Sequence, residues 1–277
     1  MKKGVRLDAY LVENRISRSI ESAKREIITG WIKVNGETVR RPSEIISGNE
    51  TITSKRPGGI FVSRGGDKLQ HAIEYFKITI KDKVVVDLGA STGGFTHCLL
   101  LNGVSKVYAV DVGYGLLDYS LRYQPRVVVK ERTNVRNLTR KSFDECIDFI
   151  TLDLSFLSLL RIFDKIREIF IPVEGIMLIK PQFEAMSYEL YRGVVIREED
   201  HKSILLRVIN SLIDQMITFK GITYSPIKGP AGNIEYFLYF DIGYDNYNAS
   251  RYEVESTIID VVEESHFVLN KHNKGVT

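Results

Sequence analysis

Apolar residues recur at helical spacing in two short segments near the N-terminus. Leu7, Tyr10 and Leu11 share one face in the first, and Ile20, Ala23, Ile27 and Ile28 share one in the second. Ser17 or Ser19 stands where a cap for the second helix is needed, and Gly30 where that helix should end. The period then falls from 3.6 to 2. Ile32 and Val34 alternate with polar neighbours up to Asn35-Gly36, a dipeptide that favours a tight hairpin before Thr38 and Val39. Two short helices on a small sheet are predicted, with Trp31 packed between helix and hairpin. The stretch "SKRPGGIFVSRGGDK" breaks both periods with Pro57, Gly58, Gly59, Gly65 and Gly66. A domain boundary is therefore expected there, giving domains 1–60 and 61–277.

Beyond the boundary, apolar strand-like runs alternate with helical patterns. The runs are "KVVVDL", "KVYAVDV", "RVVVK", "IDFITLDL" and "GIMLIK", followed by late strands near "GITYSPI" and "EYFLYFDIGY". Helices are predicted from Gly94 to Leu101, over "FLSLLRIFDKIREIF", from about Glu198 to Met216, and over "RYEVESTIIDVVEESHF". This alternation predicts an α/β fold with a mostly parallel, doubly wound sheet, preceded by a small α+β module. Tyr236, Phe237, Tyr239 and Phe240 read as a buried strand, Cys98 as a packed apolar group, and His97 as a surface helical residue.

A chain of 277 residues that is 44% hydrophobic and 26% charged has the composition of an ordinary globular protein. The start, "MKKGVRLDAY", has a basic tip but no apolar run behind it, and later apolar stretches are short and interrupted by charge. Neither a secretory signal nor a membrane span is expected, and a cytoplasmic location fits. Cys98 and Cys146 make no disulfide framework, and neither has the close partners that a metal site needs. Charge is uneven. Residues 1–64 carry 13 Lys+Arg against 7 Asp+Glu, whereas the remainder carries 25 against 28. A basic module on a near-neutral body points to a polyanionic partner.

The order of Arg6-Leu7-Asp8, Ala23-Lys24, Gly30 and Val34-Asn35-Gly36 resembles the S4 RNA-binding domain over nearly all of residues 1–60. The resemblance makes Arg6, Arg15, Arg18, Lys24, Arg25, Lys33, Arg40, Arg41 and Arg64 candidates for phosphate contact, which sets affinity and orientation and carries no sequence choice. About half are expected to be silent on mutation. The family's usual Ser-Arg is replaced here by Ser19-Ile20, with Arg18 placed to supply the charge.

"VVVDLGASTGGF" ends a strand in Asp87 and turns through Gly89, Gly93 and Gly94 into a helix, so that backbone can approach a ligand closely. The spacing is not Gly-x-Gly-x-x-Gly. It resembles the first motif of S-adenosylmethionine-dependent methyltransferases, with Asp111 closing the second strand 22 positions after Gly89 and able to accept both ribose hydroxyls. Lys68, Asp153, Lys180 and Glu235 stand at ends of predicted elements, where a doubly wound sheet gathers side chains at its crevice. A methyl acceptor can be carbon, nitrogen or oxygen; for a ribose 2′-hydroxyl, a weak nucleophile at neutral pH, a lysine whose pKa is lowered by burial and a neighbouring cation can take the proton, while carboxylates hold its orientation.

These four resemble the Lys-Asp-Lys-Glu set of FtsJ-like ribose 2′-O-methyltransferases. With "VSRGGDKL", "ERTNVRNL", "LDLSFLSL" and "IKPQFE", the chain from about residue 3 to 265 resembles the TlyA family, also named hemolysin A, of ribosomal RNA cytidine-2′-O-methyltransferases. The resemblance implies a Rossmann-like class I methyltransferase fold, S-adenosylmethionine as cofactor, and ribosomal RNA or a ribosomal subunit as partner. It implies Lys180 as base, Asp153 and Glu235 ordering it and the ribose, and Lys68 aiding proton transfer or ligand placement. Asp87, Gly89, Ala90, Ser91, Gly93, Gly94, Phe95, Asp111, Asn134 and Asp153 become the cofactor candidates, with Asn134 on the adenine side. Arg192-Gly193-Val194-Val195 departs from the family's Gly-Gly-Val-Val. The rival functions are a membrane-active cytolysin, which the absence of a strongly apolar amphipathic helix disfavours, and a non-catalytic RNA-binding assembly factor.

Overall fold

The computed structural model describes residues 4–14, 16–17, 20–28, 30–48, 50–54, 61–155, 158–244 and 249–270, with backbone alone for Arg25. The chain divides into two compact units, Met1–Ile60 and Phe61–Thr277.

In the first unit, β1 (Val5–Arg6) leads directly into α1 (Leu7–Glu13), and α2 (Ile20–Ile28) follows. The strands β2 (Ile32–Val34), β3 (Glu37–Thr38), β4 (Ile45–Ile46) and β5 (Ile52–Ser54) are short. β2 pairs antiparallel with both β3 and β5, while β1 pairs with β4. Leu7, Leu11, Ala23, Ile27 and Ile32 are fully buried and form the core with Ile46. Each large aliphatic among them contributes about 1.5–3 kcal/mol by leaving water. Ile20 and Ile28, predicted on the same face, lie at its rim and are exposed. Ser17 does not cap α2, because its hydroxyl donates to the Glu26 carboxylate at 2.7 Å. Trp31 is half-buried.

The second unit is built on a seven-stranded sheet ordered β11-β12-β10-β9-β6-β7-β8. Its strands are β6 (Val84–Leu88), β7 (Lys106–Val110), β8 (Val127–Lys130), β9 (Phe149–Leu152), β10 (Val173–Ile179), β11 (Ile217–Tyr224) and β12 (Tyr236–Ile242). Pairing is parallel from β10 through β9, β6 and β7 to β8, and β12 runs antiparallel to both β10 and β11. The sheet is thus mixed at one edge, because β11 returns directly into its neighbour β12, a connection that only antiparallel strands allow. On one face, α3 (Arg64–Phe76) and α4 (Gly94–Leu101) bury Leu69, Ala72, Phe95, Cys98 and Leu99. On the other, α6 (Phe163–Phe170), α8 (Glu198–Asp214) and α9 (Arg251–Asn270) bury Phe163, Ile204, Val208, Val254 and Ile258. Covered on both sides, β6 and β9 are buried at every position, which is why they read as unbroken apolar runs. The short helices α5 (Tyr119–Arg122) and α7 (Pro181–Glu184) lie at strand ends. α6 begins seven residues later than predicted, after a 3-10 turn at Leu159–Arg161.

His201 of α8 is fully buried; its Nδ1 lies 2.8 Å from the Tyr236 hydroxyl and its Nε2 3.1 Å from the Val195 carbonyl oxygen. His266 of α9 stacks edge-on against it, and burial pushes His201 down to about 4, with repulsion from His266 adding to the shift. The unfolded chain therefore takes up this proton first as pH falls. Stability contributed by neutral His201 is complete above about pH 6.5 and is lost as pH falls towards 4, on the order of 3 kcal/mol. In a melting series from pH 7 to 4, His201→Gln is expected to flatten this part of the curve.

Candidate active site

The turn after β6 is shaped by close backbone contact. Gly89 has φ +89°, and a Cβ there would lie 2.4 Å from the Asp153 carbonyl oxygen, so any side chain would push the turn off the end of β9. Ser91 also adopts a left-handed conformation, φ 48°, which turns its N–H to donate to Asp111 Oδ2 at 2.8 Å. Asp111 Oδ1 accepts the Gly113 N–H at 2.7 Å, so this one carboxylate ties the turns after β6 and β7 together. At Gly94 a Cβ would meet Ser63 Oγ at 2.3 Å and the Gly66 nitrogen at 2.9 Å, so the starts of α4 and α3 pack backbone to backbone. Gly65 of "SRGGD" and Gly94 of "TGGF" face each other in this approach.

Two adjoining cavities open at the carboxyl ends of the parallel strands, where a doubly wound sheet places its ligand crevice. One, of about 430 Å³, has apolar walls from Val112, Leu116, Val135, Leu154 and Ile162, with Asp111 and Asn134 as polar groups. The other, of about 370 Å³, is lined by Gly89, Ala90, Ser91, Gly94 and Phe95 and by Lys68, Asp153, Lys180 and Glu235. Gly89, Ser91, Asp153 and Ser155 belong to both.

The four charged residues form two ion pairs. Lys68 lies one turn into α3, and its Nζ donates to Glu235 Oε2 at 2.5 Å; Glu235 is only 2% exposed. A Cβ on Gly229 would come within 2.6 Å of Glu235 Oε1, so that glycine makes room for the carboxylate. Lys180 follows β10 directly, with Nζ 2.7 Å from Asp153 Oδ1. Its directed hydrogen bond goes to Ser155 Oγ at 2.8 Å. Each ammonium thus has a carboxylate partner within a partly dry cavity. Removing one partner of a buried pair leaves the other uncompensated, at a cost of about 3–5 kcal/mol.

Eight of the ten cofactor candidates line one or both cavities, and two line neither. Asp87 is fully buried beneath the turn, where its carboxylate accepts from Thr96 Oγ1 at 2.7 Å and Thr151 Oγ1 at 2.9 Å, and burial raises its pKa to about 6. Gly93 caps the start of α4, and a Cβ there would strike Leu121 at 2.4 Å. Both hold the turn in place without facing the crevice. His97 is half-buried rather than on the surface, because its Nδ1 accepts the Val62 N–H at 3.2 Å.

Of the basic candidates, Arg64 is exposed and lines the second cavity. Lys24 and Arg41 are exposed and Lys33 is half-buried. Arg6 is spent on Asp8, to which its Nε and Nη2 donate at 3.0 and 2.6 Å. Arg40 Nη1 donates to the Ile28 carbonyl oxygen at the end of α2, at 2.9 Å. Arg15, Arg18 and the side chain of Arg25 lie outside the described residues. Sequence reasoning missed Ser155, Gln182, Phe183 and Pro230 as lining groups. The first three stand inside "LDLSFLSL" and "IKPQFE" but have no charge to draw notice. Among the described residues no cluster of His, Cys, Asp and Glu could hold a metal ion, and no helix is long and apolar enough to cross a membrane.

The FtsJ-like methyltransferase family model matches residues 61–242, and the S4 domain model matches residues 5–52. YqxC of Bacillus subtilis (strain 168) is 39% identical over 277 residues, covering 99% of this chain and 98% of its own. The 16S/23S rRNA (cytidine-2'-O)-methyltransferase TlyA of Mycobacterium tuberculosis (strain ATCC 25618 / H37Rv) is 36% identical, covering 86% of this chain and 90% of its own. A solved structure from Streptococcus thermophilus that carries the hemolysin name superposes with TM-score 0.77 at 32% identity, covering 99% of this chain and all of that one.

Gly89→Ala combines left-handed strain with a backbone clash. A loss on the order of 3 kcal/mol is expected by chemical denaturation.

Proposed function

The chain belongs to the TlyA family, an S4 domain followed by an FtsJ-like methyltransferase domain, and from that membership we propose that it methylates the ribose 2′-hydroxyl of a cytidine in ribosomal RNA. The observation that carries this reading is the gathering of Lys68, Asp153, Lys180 and Glu235 on the wall of one cavity beside the Gly89 turn. S-adenosylmethionine is the methyl donor in this reading, and when bound it supplies an electrophilic methyl group on a positively charged sulfur. The residues present fit it. Each oxygen of Asp111 accepts one backbone N–H and keeps a lone pair for a ribose hydroxyl. Val112, Leu116, Leu154 and Ile162 offer apolar walls to an adenine ring, and Asn134, whose Oδ1 is occupied by the Arg136 N–H, keeps its amide N–H groups for the base edge.

Lys180 in its neutral form takes the 2′-hydroxyl proton at Nζ, while Asp153 and Ser155 fix the direction in which that nitrogen points. Glu235, held in place by Lys68, orients the ribose. The proton leaves Lys180 towards solvent through the exposed Ser155 before the next turnover. Lys24, Lys33 and Arg41, with Arg15, Arg18 and Arg25, supply cations for RNA phosphates, and Arg64 supplies one at the cavity itself.

Methyl transfer to ribosomal subunits from cells lacking the protein, with 2′-O-methyl mapping, tests the reaction. Lys180→Ala is expected to lose about 10²–10⁴-fold in kcat while binding S-adenosylmethionine as the parent does. A fully active Lys180→Ala removes Lys180 as the base. The pair Lys24→Glu and Arg41→Glu is expected to weaken RNA binding and to flatten its salt dependence by about one logarithmic unit of slope for each phosphate no longer neutralised. Cofactor affinity should not change in that pair.

A further inference from the structure

We propose that Glu184 is a positioning residue for Lys180, acting through its bonds to Ser158 and Leu159. The inference rests on the reading of Lys180 as the base. Glu184 ends α7, four residues after Lys180, and it is the one charged member of "KPQFE" beyond the lysine. Neither cavity includes it, and the chemistry above makes no use of it. Its half-buried carboxylate nevertheless accepts two hydrogen bonds from residues that come after β9. Ser158 Oγ donates to Oε2 at 2.7 Å, and the Leu159 N–H donates to Oε1 at 2.8 Å. Burial raises the Glu184 pKa, and these two donors act against that shift by favouring the anion.

The start of the same segment is held from the same turn. Lys180 Nζ donates to Ser155 Oγ at 2.8 Å and pairs with Asp153 at 2.7 Å. Lys180 therefore holds Asp153 and Ser155 by an ammonium, and Glu184 holds Ser158 and Leu159, a few residues further along the chain, by a carboxylate. The grip is reciprocal. Ser155 and Asp153 fix Nζ only while their own segment is fixed, and the Leu159 bond anchors it where the 3-10 turn before α6 begins. Because Asp153 and Ser155 line both cavities, a small displacement there moves the base relative to any ligand. A misplacement of about 1 Å can cost on the order of 10²-fold in rate.

The backbone of α7 does not depend on this carboxylate. Arg207 of α8 donates from Nη2 to the Glu184 carbonyl oxygen at 3.1 Å and also pairs with the buried Glu189 at 3.0 Å. The Glu184 side chain can thus be altered with the turn still tied to α8.

A double-mutant cycle on the full-length protein, with methyl incorporation into ribosomal subunits from cells lacking it, separates positioning from general support. Glu184→Gln keeps the shape but removes the charge and one of the two acceptors that Ser158 and Leu159 use. It is expected to lower kcat by about tenfold or more, with KM for the subunit and affinity for S-adenosylmethionine changed by less than about threefold. In a Lys180→Ala background the same substitution should leave the residual rate within about twofold, since nothing is left to position. An unchanged kcat in Glu184→Gln overturns the proposal, and so does an equal loss in both backgrounds. Ser158→Ala removes one of the two bonds and carries the same cycle with a smaller loss, about threefold, should Glu184→Gln not fold. A fully active Lys180→Ala defeats the reading of the base, whereas an inactive Lys180→Ala with an additive cycle defeats Glu184 alone.

Discussion

The crevice depends on two neighbouring strands ending in opposite charges. β9 and β10 run parallel with Leu152 beside Met177, so the residues that continue them, Asp153 and Lys180, emerge at the same edge of the sheet. Neither charge could stand there alone at low cost, and together they are 2.7 Å apart. Antiparallel pairing at this point would send the two groups to opposite ends of the sheet. The second ion pair uses that alternative: β12 is antiparallel to β10, with Tyr236 opposite Ile179, so Glu235 just before β12 comes to the edge where β10 ends. Mixed topology thereby brings three strands to one place, and Lys68 of α3 completes the set.

Backbone proximity does the remaining positioning, and glycine makes it possible. Gly89 lets the turn after β6 lie on the Asp153 carbonyl, and Gly94 lets α4 start against α3, which carries Lys68. The residues that look most chemical in this region serve the same end. Asp87 lies beneath the turn, held by two threonine hydroxyls, and its carboxylate is raised to about 6 by burial, with added repulsion from Asp153. A perturbed acid beside a charged cluster marks support for the site as readily as it marks chemistry.

Much of this is legible in the residues. Strand-forming runs with both faces covered are continuous and apolar, so β6, β7 and β9 stand out. The positions of Lys68, Asp153, Lys180 and Glu235 at element ends follow once a doubly wound sheet is assumed. The antiparallel edge is not legible, because nothing in the residue pattern of β11 and β12 reports direction. The start of α6 misleads because a distant residue takes part in it. Leu159 and Leu160 continue its apolar period, but the Leu159 N–H is taken by Glu184, a partner 25 residues away that no periodicity reveals. Ser17 and Arg40 show the same limit: the first sits where local rules suggest a cap, the second where the S4 resemblance implies a phosphate ligand, and each is claimed by a tertiary partner.

Charge separates binding from chemistry in the proposed reaction. The first 64 residues carry a positive excess of six, while the remainder carries a negative excess of three. A phosphate backbone is therefore drawn by the N-terminal part and gains nothing from the net charge of the body. Within the crevice the local balance is neutral, two cations against two anions, with Arg64 added at the rim. A neutral, prepaired site does not compete for the phosphates that the basic unit must hold. It also keeps its lysines from being drawn out of line by a polyanion, because each is already held by a carboxylate at hydrogen-bonding distance. In the proposed reaction, affinity and alignment then rest on different residues: surface cations of the basic part for the RNA, and two prepaired lysines for the sugar hydroxyl.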